Sequence, residues 1–100
     1  MAGHVFEVKH DTKAEKFYIE LEPHREAFLM YTHANKVMDI YLVFVPPDFR
    51  EKGLDEALAE CAFEYARKKG LKVIPRCPFI KNSFLKKHPE YTKLVTEKYA

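Results

Sequence analysis

Cysteine is scarce: Cys61 and Cys77 are the only two in 100 residues. Two are too few for a disulfide-stapled scaffold and lack the clustering of a zinc site, so both read as free thiols. Three glycines and six prolines exclude a fibrous or low-complexity chain. Long apolar runs are missing too. The longest, Ile40 to Pro47, falls far short of the ~20 residues of a membrane helix, and Met1 to Glu7 shows no basic start before an apolar stretch. No export or spanning segment is therefore expected, and the cytoplasm is the expected location. Charge of one sign is also missing, since 17 Lys and Arg face 15 Asp and Glu for a formal net charge of +2. That bias is too mild to identify a partner. With no base-reading motif beside the basic clusters at 67–72 and 86–87, it argues against nucleic acid. The five histidines, at 4, 10, 24, 33 and 88, make no close pair on a helix face, so no metal site is expected.

What is present is a hydrophobic fraction of 47% beside a charged fraction of 32%. That supports one compact core and not two, and residues 1–100 are expected to form a single domain with no linker or internal repeat. Phe17, Ile19 and Leu21 alternate with Tyr18, Glu20 and Glu22, the period of a half-buried strand. Val5 to Lys9 reads as an edge strand before it, with Asp11-Thr12-Lys13 as the intervening turn. Ala27 to Thr32 and Val37 to Val45 flank His33-Ala34-Asn35-Lys36, where Asn35 tolerates the left-handed conformation of a hairpin turn. Four antiparallel strands follow. The fourth, Ile40 to Val45, is the most apolar and reads as a central strand covered on both faces, ending at Pro46-Pro47, which cannot donate to a ladder.

The period then changes to 3.6, with Leu54, Ala57, Leu58, Cys61, Ala62 and Tyr65 along one helix face. Acids at Glu51, Asp55 and Glu56 open this helix, bases at Arg67, Lys68 and Lys69 close it, and Gly70 is its C-terminal cap. Leu71 to Ile74 reads as a buried strand ended by Pro75, so strand, helix and strand make a right-handed parallel crossover. Phe79 to Lys87 follows as a short C-terminal helix anchored by Phe79, Ile80 and Phe84, and His88-Pro89 breaks it, with Tyr91 and Leu94 expected to pack on the sheet. The predicted class is α+β, a mixed and mostly antiparallel sheet with one β4-α-β5 crossover.

A helix that begins just past a strand end presents backbone N–H groups to an anion. The residues at that point are Pro46-Pro47-Asp48-Phe49-Arg50-Glu51-Lys52-Gly53-Leu54-Asp55. Arg50 to Asp55 resembles the Q/R-x-x-G-x-G/A acetyl-CoA loop of the GNAT-type N-acetyltransferases. Val45-Pro46, Ala62-Phe63-Glu64-Tyr65-Ala66-Arg67, Leu71 to Ile80 and His88-Pro89-Glu90-Tyr91 extend the likeness to about residues 15 to 95. The chain resembles the small, YjdJ-type GNAT-like proteins. That resemblance implies a GNAT-like fold binding acetyl-CoA where strands four and five splay apart, and transfer of acetyl to a small-molecule or protein amine. It implies that Phe44 and Val45 hold the pantetheine, and that Arg50, Glu51, Lys52, Gly53, Leu54 and Asp55 surround the pyrophosphate, with Gly53 permitting close approach. It also puts Cys77 beside the thioester, where a thiol could accept acetyl; the alternative for Cys77 is a small buried hydrophobe. Cys61, on the helix core face, reads as packing.

Three departures from the family pattern open a second reading. Glu51 and Asp55 stand where the family has small residues. A carboxylate 5 Å from a phosphate charge costs roughly 1 kcal/mol in water and about 3 kcal/mol at an effective dielectric of 20, so acetyl-CoA binding would be weakened. Equally, acids suit the first turn of any helix. Leu42-Val43-Phe44 replaces a polar stretch of the family, and Phe84 occupies the position of a proton-donating tyrosine in larger GNAT enzymes. Tyr41, His33, His88 and Tyr91 remain as acids or bases. The second reading is a GNAT fold that has lost its cofactor and serves as an interaction or scaffold domain.

Overall fold

The computed structural model describes residues 6–97. Five strands form one sheet in the order β1-β2-β3-β4-β5: β1 (Lys9–Asp11), β2 (Lys16–Glu22), β3 (Arg25–Ala34), β4 (Val37–Phe44) and β5 (Lys72–Pro75). The first four pair antiparallel and β5 lies parallel to β4. The mixed α+β architecture with its single crossover is the one the hydrophobic periods predict. The edge strand is shorter than expected and shifted towards the turn; of the residues assigned to it, Val5 lies outside the described ones. The turn after it closes as an Asx turn, Asp11 Oδ1 accepting the N–H of Lys13 and Ala14 at 3.1 and 3.0 Å. The β3–β4 hairpin turns on Asn35 and Lys36, both left-handed at φ 54° and 61°, the geometry whose twist matches that of the flanking strands.

Helix α1 (Leu54–Lys69) crosses one face of the sheet and buries Leu54, Leu58, Ala59, Ala62, Phe63 and Ala66. The inward stripe is rotated from the predicted one: Ala57, Cys61 and Tyr65 lie at its margin, and Ala59, Phe63 and Ala66 sit inside it. Phe63 moves inward because the C-terminal segment also packs on α1, with Phe84 stacked against Phe63 at 5.3 Å and Tyr91 tilted against it at 5.2 Å. Tyr91 therefore packs on the helix rather than the sheet, and its hydroxyl donates to Glu64 at 2.7 Å. Gly70, at φ 71°, ends α1 in a Schellman turn, with Leu71 N–H donating to the Ala66 carbonyl at 2.8 Å and Gly70 N–H to Arg67. The expected C-terminal helix is a π-helical turn, Ile80–Phe84, running into the single turn α2 (Leu85–Lys87). A 3-10 turn, Pro89–Leu94, follows.

β4 lies between β3 and β5, one strand in from the edge rather than at the centre, and it is not covered on both faces. Val37 to Ile40 are buried, whereas Tyr41, Leu42 and Phe44 are 42%, 42% and 39% exposed. Two features explain the change. Pairing with β5 stops at Ile40 and Pro75, because the Arg76 N–H turns back onto the Ile74 carbonyl at 3.0 Å in a tight turn centred on Pro75. In the same place Tyr41 is an extra residue, since Met30 pairs with Leu42 and Tyr31 with Ile40. Such a bulge bends a strand and sharpens its twist.

Candidate functional site

The strand separation opens a cleft. Cys77 N–H donates to the Ile40 carbonyl at 3.0 Å, and from there the chain turns away into the π-helical turn while β4 continues to Phe44. The gap is a cavity of about 380 Å³ lined by Val43, Phe44, Val45, Arg50, Asp55 and Phe79. The prediction therefore places Phe44, Val45, Arg50 and Asp55 together. Val43 and Phe79 join them, and neither was anticipated in this role: Phe79 carries the signal of a helix anchor, and Val43 that of any apolar strand residue.

Between β4 and α1 the chain forms a 3-10 turn, Pro47–Lys52, started by Pro46-Pro47 and kinked at Glu51. Glu51 thus lies in this turn, not in the first turn of α1. A second hollow, of about 560 Å³, is lined by Pro47, Asp48, Arg50, Glu51 and Lys52, so Arg50 borders both cavities. Its Nε donates to the Val45 carbonyl at 3.3 Å. Gly53 is the N-cap of α1 at φ 71°, and no atom lies within 4 Å of the place a Cβ would occupy. A group approaching the helix start therefore meets open space and backbone N–H groups with no side-chain cap from Gly53. Leu54 contributes backbone only, because its side chain is in the core. Asp55 lines the cleft while its Oδ1 accepts Glu56 N–H at 2.8 Å.

Cys77 sits where the ladder ends, with only 7% of its surface exposed. The position is held from the neighbouring residue: Arg76 forks onto Asp39, Nη2 to Oδ2 at 2.7 Å and Nε to Oδ1 at 3.0 Å. Asp39 is the one buried charged residue among those described. Cys61 is half-buried, and burial together with Glu60 pushes its thiol up, away from reactivity. Of the other acid or base candidates, Tyr41 stands at the bulge, next to Ile40. His33 is exposed at the far hairpin, His88 stacks on Phe84 at 4.6 Å, and Tyr91 is buried against Phe63. Phe84 is fully buried. Among the described residues no three His, Cys, Asp or Glu gather into a metal site, and no helix is long and apolar enough to cross a membrane.

A family model for the GCN5-related N-acetyltransferases matches residues 16–94. The chain belongs to the GCN5-related N-acetyltransferases. It is similar to Protein NATD1 of Gallus gallus, 29% identical over 89 residues that cover 87% of this chain and 80% of that one. Protein NATD1 of Xenopus tropicalis is 31% identical over 84 residues, covering 82% and 76%. The same fold occurs in the solution NMR structure of a GCN5-like protein from Staphylococcus aureus, with a TM-score of 0.71 and 28% identity over 92% of this chain and 89% of that one. Members of this family generally take acetyl from acetyl-CoA and pass it to amines.

Proposed function

We propose that this protein binds acetyl-CoA in the cleft beyond Ile40 and transfers its acetyl group to an amine, acting as one domain in the cytoplasm. The observation that carries this reading is the open cleft itself, bounded by the part of β4 that β5 does not pair with at one end and by the start of α1, with Gly53 as its N-cap, at the other. Pantetheine is an extended chain with two amides, which suits the edge left at Phe44 and Val45. Arg50, Lys52 and the N–H groups around Gly53, Leu54 and Asp55 would hold the pyrophosphate, and the open space at Gly53 fits it. Glu51 and Asp55 weaken that hold without filling the space. The two free thiols suit a reducing compartment. A scaffold that has lost its cofactor is the less favoured reading, because the cleft stays open and Arg50 and Gly53 stand at it.

Bound acetyl-CoA would supply an acetyl thioester. Cys77 is the group at the ladder end that can receive acetyl on Sγ, its proton leaving with the CoA thiolate. An acceptor amine then takes the acetyl group, loses its own proton and returns the thiol. Titration with acetyl-CoA and CoA tests the site: amide shifts should saturate, centre on residues 44–55 and Cys77, and weaken as salt rises. No shift at millimolar ligand would reject it. Mass spectrometry after incubation should show one acetyl adduct, absent from Cys77→Ala and retained in Cys61→Ala. A parent protein without an adduct would reject the thiol intermediate and leave direct transfer.

A further inference from the structure

Arg25 lies at the start of β3, 23 residues before Asp48 in the sequence, and outside the loop that bears the proposed phosphate site. Its guanidinium grips the 3-10 turn with a fork: Nη2 donates to Asp48 Oδ1 at 2.7 Å and Nη1 to Asp48 Oδ2 at 3.0 Å. Nη1 also donates to Glu22 at 2.9 Å, and the group lies over the Phe49 ring at 5.5 Å. Phe6 meets Phe49 edge-on, the ring centroids 6.4 Å apart. Arg25 therefore joins the β2–β3 hairpin to two consecutive residues of the turn whose following residue is Arg50.

We infer that Arg25 is a positioning residue for phosphate binding. It acts in two ways through Asp48. The planar fork fixes the first half of the turn, upstream of the kink at Glu51, and so sets where Arg50 and the Gly53 N–H groups point. It also neutralises Asp48, which lines the same hollow as Arg50 and Lys52 and would otherwise repel an anion there. Losing Arg25 frees one negative charge and one anchor together. The inference rests on the acetyl-CoA reading above, and its test separates the two.

The experiment compares the parent with Arg25→Ala and Arg25→Lys, using CoA, pantetheine without phosphates, and amide hydrogen exchange in the ligand-free protein. Arg25→Ala should weaken CoA by ~3- to 10-fold while leaving pantetheine unchanged, and residues 49–52 should exchange faster. Arg25→Lys keeps the charge without the fork and should recover part of the CoA affinity. Should Arg25→Ala not fold, Asp48→Asn removes the charge pair while keeping one oxygen for the guanidinium, and should speed exchange at the same residues. A ratio of CoA to pantetheine affinity equal to the parent's, or unchanged exchange at 49–52, overturns the positioning role. A parent that binds no CoA overturns the acetyl-CoA reading instead, and exchange alone then decides whether Arg25 orders the turn.

Discussion

Cys77 donates its backbone N–H to the carbonyl of Ile40 at 3.0 Å, and the β4–β5 register ends one step earlier, at Ile40 and Pro75. One hydrogen bond thus marks the point where the two strands part, and Cys77 stands there without joining the residues that line the cavity. Pro75 and the Tyr41 bulge act from opposite sides of the same point. The turn at Pro75 diverts the Arg76 N–H to the Ile74 carbonyl and the bulge turns β4 away, so the strands separate by backbone chemistry rather than by a wedge.

Asp39 anchors that point. Its side chain is 6% exposed, whereas that of Arg76 is 59% exposed, so Arg76 can rehydrate once its partner is gone. Asp39→Ala should cost roughly 1–3 kcal/mol, below the penalty for stranding a buried charge. It should also shift the Cys77 amide, because Arg76 precedes it. Urea unfolding with a proton–nitrogen spectrum checks both; a parent-like Cys77 shift would show that the ion pair does not position it.

Gly53 separates strain from occupancy. At φ 71° most L-residues are strained, by roughly 1–2 kcal/mol, although no neighbour blocks a Cβ. Gly53→Val should therefore lose stability and CoA binding together. Asn tolerates the left-handed region, so Gly53→Asn should stay near parent stability while its side chain fills the approach to α1. Equal CoA affinity in Gly53→Asn would remove the phosphate from this point.

The two acids give the opposite sign. Glu51→Gln with Asp55→Asn removes both charges, and the amide oxygen at 55 can still accept Glu56 N–H as Asp55 does at 2.8 Å. At about 1 kcal/mol per charge in water, CoA binding should tighten about tenfold or more, and the gain should shrink with salt. Isothermal titration at low and moderate salt measures it. No gain would mean that both carboxylates point away from the ligand.

Alkaline stability depends on Tyr31. Its hydroxyl lies 2.7 Å from His10 Nε2, and burial first, then Tyr65, Glu15 and Asp11, push its ionisation from 10.0 up to about 12. The folded state therefore holds the proton more tightly than the unfolded chain. This stabilisation is complete below pH 10 and is lost as pH rises from 10 to about 12. His10 runs the other way: burial lowers it from 6.5 against an opposing pull from Asp11, so the unfolded chain takes the proton first and stability falls as pH drops through 6.5. Urea midpoints across pH should show both limbs. In Tyr31→Phe the alkaline limb should flatten, and an unchanged slope there would reject the assignment.

Much of this was legible residue by residue. The alternation of Phe17, Ile19 and Leu21, the prolines at 46 and 47, and Gly70 each impose a local geometry that tertiary structure did not overrule. Asn35 was legible for the same reason, since a short polar side chain tolerates φ above zero. The stripe of α1 was misjudged by a fraction of a turn. Phe63 faces inward only because Phe84 and Tyr91 arrive from residues 20 or more further on.

The candidate site divides in the same way. Backbone chemistry is local, so the sequence by itself determined the strand stop at Pro75 and hence the neighbourhood of the cleft, whereas Glu51 reads as part of the helix opening and the structure puts it in the turn before Gly53. Apolar character, by contrast, states what a residue prefers and not what covers it. Tyr41, Leu42 and Phe44 read as buried, and the end of β5 pairing together with the bulge at Tyr41 left them exposed. The Arg25–Asp48 and Arg76–Asp39 forks were equally invisible, because opposite charges 23 and 37 residues apart carry no periodic signal. Their pairing exists only once the sheet brings distant chain segments within reach, and that was decided by the tertiary structure.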